Sequence, residues 1–455
     1  MIPLRQIFPP APFKTEKTVN NEKTPISQEA IKKLEKYRWL IYGILVLCYF
    51  FVVFHRMSTG VMREELGASF GIGPAEFAIL GSCYFYTYTL MQIPAGILAD
   101  TLGAKKTIAG GMLVAALGSA IFAFAPSIGL AYIGRAIVGA GVAVVFIPIL
   151  VIQSQWFYTK DFAMLTGATT ATGNLGGLAA QTPLLFLLGM MGWRNSFLVV
   201  SGISVALFFL VLVFVKSSPK EMGLPTIAQI EGRTVAAKGA KKNIFKALKG
   251  IFLNPLTWLP VIITSGTMGA YITFSSTWGV SLIMSKFGLD KMAAANGNLV
   301  QLLAVAMGGA VIGGLSDKLR NRKMVTIVLT AMYAISWFVM IYVDVPAALY
   351  YPLLIVMGWG SCAFITAITL VKEYNNPENA GMSTAFANTL SFSAGAIFPV
   401  IIGKGMKAVV DSGKVADFTD YAAVFSWLPW AVFATFVAAL FLKETGAVSI
   451  YKERK

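Results

Sequence analysis

Charge is scarce in this chain where it would be most costly. Charged residues make up 13% of 455 positions, histidine occurs once, at His55, and cysteine three times. The 21 acidic residues all fall in loops, tails or helix ends, with Glu76, Asp344 and Glu373 nearest the apolar segments. A proton relay through a buried carboxylate therefore has nothing to use. Cys48, Cys83 and Cys362 are scattered through apolar segments without metal or redox spacing, so they read as small packing residues and imply neither a disulfide framework nor a metal. No phosphate-cradling Walker loop occurs. No nucleophile, metal cluster or carboxylate pair stands at chemical spacing. An enzyme, a cofactor and an ATP-driven machine are all unexpected.

What is present is apolar: 56% of residues are hydrophobic, far above a soluble domain. Crossing roughly 30 Å of hydrocarbon takes about 20 helical residues. Twelve runs of that order occur, near 39–61, 75–98, 107–125, 128–151, 163–188, 195–215, 256–284, 293–315, 324–343, 347–371, 381–403 and 421–442. They are too long for barrel strands and lack strand alternation, so the fold class is an all-α polytopic membrane protein with twelve transmembrane helices.

If both ends of the chain are cytoplasmic, the inner segments hold about 28 of the 37 Lys and Arg and the outer loops about 7. The formal charge of +16 is then mostly topology, with some attraction to anionic lipid, and is not a sign of nucleic acid. Residues 1–38 are too long and too evenly charged for a signal peptide. Their Ile31, Leu34 and Tyr37 spacing suits a juxtamembrane amphipathic helix. The expected divisions are a cytoplasmic extension 1–38, a six-helix bundle 39–215, a basic Gly- and Lys-rich loop 216–255, a second six-helix bundle 256–442 and a tail 443–455.

Each half carries a similar loop after its second helix. The first runs Gly96-Ile97-Leu98-Ala99-Asp100-Thr101-Leu102-Gly103-Ala104-Lys105-Lys106, the second Gly313-Gly314-Leu315-Ser316-Asp317-Lys318-Leu319-Arg320-Asn321-Arg322-Lys323. Two copies at equivalent places indicate an internal repeat. This repeat resembles the loop motif of the major facilitator superfamily, although Thr101 and Ala104 stand where basic residues are common. Arg135-Ala136-Ile137-Val138-Gly139-Ala140-Gly141 is similar to that family's fourth-helix motif, and Gly192-Trp193-Arg194 precedes helix six as it does there. Phe54-His55-Arg56-Met57-Ser58-Thr59-Gly60-Val61 resembles the helix-one segment of organic-anion and sugar-phosphate transporters. Pro219-Lys220-Glu221-Met222-Gly223-Leu224-Pro225 is similar to a segment of organophosphate antiporters. Val142 and Ala143 depart from the carboxylate symporters, many of which carry an acid there.

The resemblance implies a major facilitator fold of two six-helix pseudo-repeats in which helices one, four, seven and ten line a central cavity. It also implies secondary transport by alternating access in the inner membrane, with the protein expected as a monomer. Arg56 and Arg135 are cations in apolar helices at similar depth, which points to an anionic small-molecule substrate, an organophosphate or a carboxylate, carried by exchange or symport. For Arg135 the alternative is to hold helix-one carbonyls, and for Arg56 to snorkel toward the interface. His55 is either a proton-coupling group or a packed ring. Polar faces recur at helical spacing: Tyr84, Tyr88 and Gln92; Thr170, Asn174 and Gln181; Thr264, Thr267, Tyr271, Ser275 and Trp278; Asn298 and Gln301; Asn388 and Ser391. Of these, Tyr88, Asn174, Tyr271, Ser275, Trp278 and Asn388 are expected to contact substrate, the alternative being helix packing. Asp100, Lys105, Asp317 and Arg320 are expected to gate the inner face across the two halves. A multidrug or peptide transporter and a transporter-like sensor are the competing readings.

Overall fold

The computed structural model describes residues 27–231 and 244–451, and these contain helices and no strands. Helical stretches coincide with all twelve expected runs: α1 (Gln28–Met57), α2 (Pro74–Leu90 followed by Gln92–Thr101), α3 (Ala104–Phe124), α4 (Ile128–Trp156), α5 (Phe162–Ala179 and on through 182–191), α6 (193–214), α7 (Pro255–Phe287), α8 (Lys291–Leu319), α9 (Arg322–Tyr342), α10 (Ala347–Tyr374), α11 (Ala380–Asp411) and α12 (Phe418–Leu440). Among the described residues nine helices are long and apolar enough to cross a membrane unaided, or ten with α7 and the short helix before it. The exceptions are interrupted. Met91 divides α2 into pieces of 17 and 10 residues, and the first piece of α5 ends at Ala179.

Local signals set the breaks. Pro74 occupies the first turn of α2, where its missing N–H costs nothing. Gly192 takes φ 74, a left-handed conformation open to glycine, and this separates α5 from α6 at the Gly-Trp-Arg segment. The side chains of Asn254, Asp290 and Asn321 accept backbone N–H bonds at the starts of α7, α8 and α9.

The helices assemble as two six-helix halves. In the first, α3 packs on α4 and α6, and α1 on α5; in the second, α7 packs on α10, α11 and α12, and α8 on α10. The halves meet mainly where α2 lies on α11 and α5 on α8. Contact with α11 is dense along Pro74–Leu90 and sparse along Gln92–Thr101. The halves are therefore sealed at the end bearing Glu64, Glu65 and Lys291, termed here the far end, and separate toward the end bearing the linker.

Among the described residues, side-chain bonds join the halves at the far end. Lys291 Nζ sits 2.7 Å from Glu65 and 3.2 Å from Glu64. Arg63 donates to Tyr421 at 2.6 Å, Thr182 to Asn296 at 2.6 Å, and Asn298 to Gln181 at 2.8 Å.

Candidate functional site

Arg56 occupies the last turn of α1 and is only 9% exposed. Its Nη2 donates to the Tyr88 hydroxyl of α2 at 2.9 Å, and its guanidinium lies 4.9 Å from the Tyr88 ring centre. On its other side Phe392 of α11 approaches to 5.1 Å. Tyr49, Tyr84 and Tyr271 also lie within electrostatic reach. The side chain thus points into the seam between the halves and does not snorkel. Its Nε is buried without a partner, and no acid pairs with it among the described residues. A buried guanidinium held only by phenols and ring faces keeps much of its desolvation cost, which an oxyanion in the seam would offset. Tyr88, one of the expected contacts, completes this cage together with Tyr271.

Arg135 is fully buried, with Nη2 engaged and Nε and Nη1 buried without partners. Its Nη2 donates to the Thr59 hydroxyl at 2.7 Å and to the His55 carbonyl at 3.2 Å, so it ties α4 to the end of α1. Gly139, one turn on, lets α4 approach α2 so closely that a Cβ there would overlap the Tyr84 carbonyl oxygen. The two guanidiniums do not converge: Tyr84 stands between them, its ring 5.4 Å from Arg135 and its hydroxyl beside Arg56. The bond to the His55 carbonyl is the backbone contact expected of Arg135 as the alternative to substrate binding. His55 is fully buried against Phe54, with neither ring nitrogen hydrogen-bonded. It faces no acid and acts in the structure as a packed ring whose carbonyl receives Arg135.

The expected stripe on α7 is interrupted. Residues Thr273–Trp278 form a π-helical turn, which inserts an extra residue within the stripe. Ser275 turns to α8, donating to Gln301 at 2.7 Å, and fully buried Trp278 donates to the Pro399 carbonyl of α11 at 3.1 Å. Asn298 links Gln181 to the Ser275 carbonyl at 2.8 and 2.9 Å, and Gln181 reaches the Met57 carbonyl at 3.2 Å. Ser275, Trp278, Asn298 and Gln301 bridge helices at the seal, and Ser391 bonds Thr264 across α7 and α11. Asn174 and Asn388 are half-buried. Asn388 lies one helical turn from Phe392, toward the linker end, and is the better placed of the two to reach an anion at Arg56.

At the linker end, Asp317 pairs with Arg322 at 2.6 Å and Arg322 with Glu373 at 3.0 Å. Glu444 accepts the backbone N–H groups of Arg322, Lys323, Thr445 and Gly446. Burial raises the Glu444 carboxyl, but these N–H bonds outweigh it and hold its pKa below the usual range. This cluster lies within the second half and joins α8, α9, α10 and the tail. In this arrangement its ion pairs stay within the second half. Arg320 is exposed at the left-handed end of α8. Lys105 is half-buried near Lys216 and Glu221. The side chain of Asp100 lies outside the described residues.

Arg322, Glu373 and Glu444 are not among the expected site residues. One signal was available: Arg322 follows Asp317 by five residues as Lys105 follows Asp100, so the repeat itself aligns them. A second symmetry appears only in three dimensions. Trp156 at the end of α4 donates to the Lys216 carbonyl after α6, and Tyr374 at the end of α10 donates to the Lys443 carbonyl after α12.

Residues 45–399 match the family model of the Major Facilitator Superfamily. A probable sulfoacetate transporter of Cupriavidus necator is 24% identical over 292 residues, covering 64% of this chain and 68% of its own. A probable hexose phosphate transport protein of Chlamydia pneumoniae is 24% identical over 203 residues, so the chain spans only 44% of that relative. Among solved structures, a D-xylose-proton symporter superposes with a TM-score of 0.70 at 13% identity over 91% of this chain and 100% of its own. A bacterial homologue of the human lysosomal transporter Spinster, inward-facing and unoccupied, gives 0.68 at 15% over 90% and 96%. With twelve apolar helical stretches in two halves and a family match across most of its length, the chain belongs to the Major Facilitator Superfamily and is a multi-pass membrane transporter, not an enzyme.

Proposed function

We propose that this chain carries a small organic anion by alternating access, with Arg56 as the group that holds the anion's charge. The supporting observation is the position of Arg56: buried at the seam between the halves, ringed by tyrosines and Phe392, and paired with no carboxylate. Neutralising an oxyanion is the simplest use of such a cation. Relatives named for sulfoacetate, hexose phosphate and tartrate transport agree with that sign of charge.

The excess of Lys and Arg in the linker and neighbouring loops makes the linker end cytoplasmic. The arrangement described is then open inward and sealed outward. Tyr88, Tyr271 and Asn388 surround the anion, while Arg135 fixes the helix that carries Arg56. The apolar spans hold no carboxylate that could relay a proton, so exchange of one anion for another is the favoured coupling over a carboxylate-driven symport.

The test is uptake by purified protein in liposomes preloaded with unlabelled anion and given no ATP. Sulfoacetate, glucose 6-phosphate and tartrate are offered outside. Accumulation that depends on internal anion is the expected result. Uptake that requires ATP, or transport confined to lipophilic cations, contradicts the proposal.

A further inference from the structure

The far end of the bundle carries a second cation without an ionic partner. Arg63 begins the short helix Arg63–Phe70, seven residues past Arg56, and borders a cleft of about 730 Å³ between the halves. Gly60, Glu64, Phe77, Met284, Lys291 and Tyr421 are among the residues lining it. The Arg63 guanidinium lies 4.8 Å from the ring centre of Trp278, and its Nη1 donates to the Tyr421 hydroxyl. The nearest acids are engaged elsewhere, since Glu64 and Glu65 both hold Lys291. Two carboxylates against one lysine leave that group at −1, so with Arg63 the four charges sum to zero, and Arg63 is the member of the four with no ion pair among the described residues. Its Nε and Nη2 carry no protein hydrogen bond and are not among the buried unpaired groups, so they open onto the cleft.

A guanidinium resting on an indole face is held in one plane with its edge donors free, the geometry that receives a carboxylate, sulfonate or phosphate with two hydrogen bonds. The seal runs between the two arginines, for the chain at Gly60 lies against the Ser276 backbone, where an added Cβ would come to 3.1 Å from the carbonyl oxygen. Arg56 faces the seam on one side of that seal and Arg63 the cleft on the other.

We propose that Arg63, seated on Trp278 in the outer cleft, is a capture site that binds the transported oxyanion before the seal opens and passes it to Arg56. This rests on the anion-carrier reading above. A guanidinium fork held in place on the outer side receives the anion by hydrogen bonds before the seal opens, so its loss weakens capture more than turnover.

Three variants test this with sulfoacetate, glucose 6-phosphate and tartrate as probes. Arg63→Gln is expected to raise the KM for uptake by about fivefold or more while the maximal rate stays within about twofold, the pattern of lost binding without lost turnover. Arg63→Lys keeps the charge without the fork and is expected to fall between, which preserves the test should the glutamine variant fold poorly. Tyr421→Phe removes the hydroxyl that Arg63 holds and is expected to leave the KM near wild type. Calorimetry on transport-dead Arg56→Ala is expected to find weak saturable binding that disappears in the Arg56→Ala, Arg63→Gln double variant. An unchanged KM in both Arg63 variants, or absence of residual binding in Arg56→Ala, overturns the capture site while leaving the carrier reading intact. A KM rise of equal size in Tyr421→Phe also overturns it, because the arginine is then only a staple. If the wild-type protein takes up none of the probes, the carrier reading falls and takes the capture site with it.

Discussion

The guanidinium of Arg56 lies 5.1 Å from the ring centre of Phe392, so a cation of the first half is roofed by an aromatic ring of the second. Any change in the angle between the halves alters that contact. On the proposed reading, an anion held at Arg56 is coupled to movement of the halves through this pair of side chains, with Tyr88 fixing the guanidinium from the first-half side at 2.9 Å.

The bonds from Arg135 to Thr59 and the His55 carbonyl have a measurable consequence. Thr59→Val deletes the hydroxyl that accepts its 2.7 Å bond and leaves a buried charged donor short of a partner. A loss of about 1.5–3 kcal/mol is expected, since hydrogen bonds to charged groups are worth that much. Thr59→Ser should retain most of the stability. Thermal unfolding in detergent compares the variants, and equal melting temperatures for Thr59→Val and wild type would contradict this.

Lys291 joins the halves at the far end through Glu65 and Glu64, at 2.7 and 3.2 Å. The pair is partly exposed and worth about 1 kcal/mol, enough to shift a two-state equilibrium roughly fivefold. Lys291→Gln should therefore enrich the arrangement open at the far end. Spin labels placed on either side of the far-end cleft report this as a larger population of long distances. Raised salt should move wild type the same way and the variant little. Identical distance distributions in the two proteins at low salt refute this role.

Glu444 gives the tail a pH dependence whose sign is fixed. Its folded pKa is held below the ordinary carboxylate value, so its contribution is fully present above that ordinary value and is lost as pH falls through the folded one. Glu444→Gln should melt earlier than wild type near neutral pH, and the gap should close on acidification. The melting difference is followed from neutral to acid conditions; a gap that widens toward low pH contradicts the assignment.

The sequence made the framework legible because hydrocarbon thickness and internal hydrogen bonding leave few options for long apolar runs. Both the twelve helical stretches and the break at Gly192 were readable from that pattern and from the Gly-Trp-Arg segment. Arg56 was conspicuous for the same reason, as a cation in apolar surroundings. What escaped was direction. Steps of three and four put Ser275 and Trp278 on one face with Tyr271, but a π-helical turn runs through Thr273–Trp278, Ser275 and Trp278 bond to Gln301 and Pro399, and nothing in the local residue types announces an inserted residue. Equal depth made Arg135 look like a partner for Arg56, although depth carries no information about which side of Tyr84 each occupies. Glu373 and Glu444 sit more than fifty residues from Arg322 in sequence, so their cluster depends on how helix ends meet. Arg63 stands beside Glu64 and Glu65 in sequence, and only the structure gives both acids to Lys291.

The most direct measurement is transport by Arg56→Lys in liposomes, read beside its melting temperature and that of Arg56→Ala. Lysine keeps the charge at the same depth but loses the planar fork, so uptake should fall by about tenfold or more while stability stays near wild type, and alanine should abolish uptake. Wild-type kinetics in Arg56→Lys would contradict bidentate anion binding at this residue, and wild-type kinetics in Arg56→Ala would contradict any role for it in carrying the substrate.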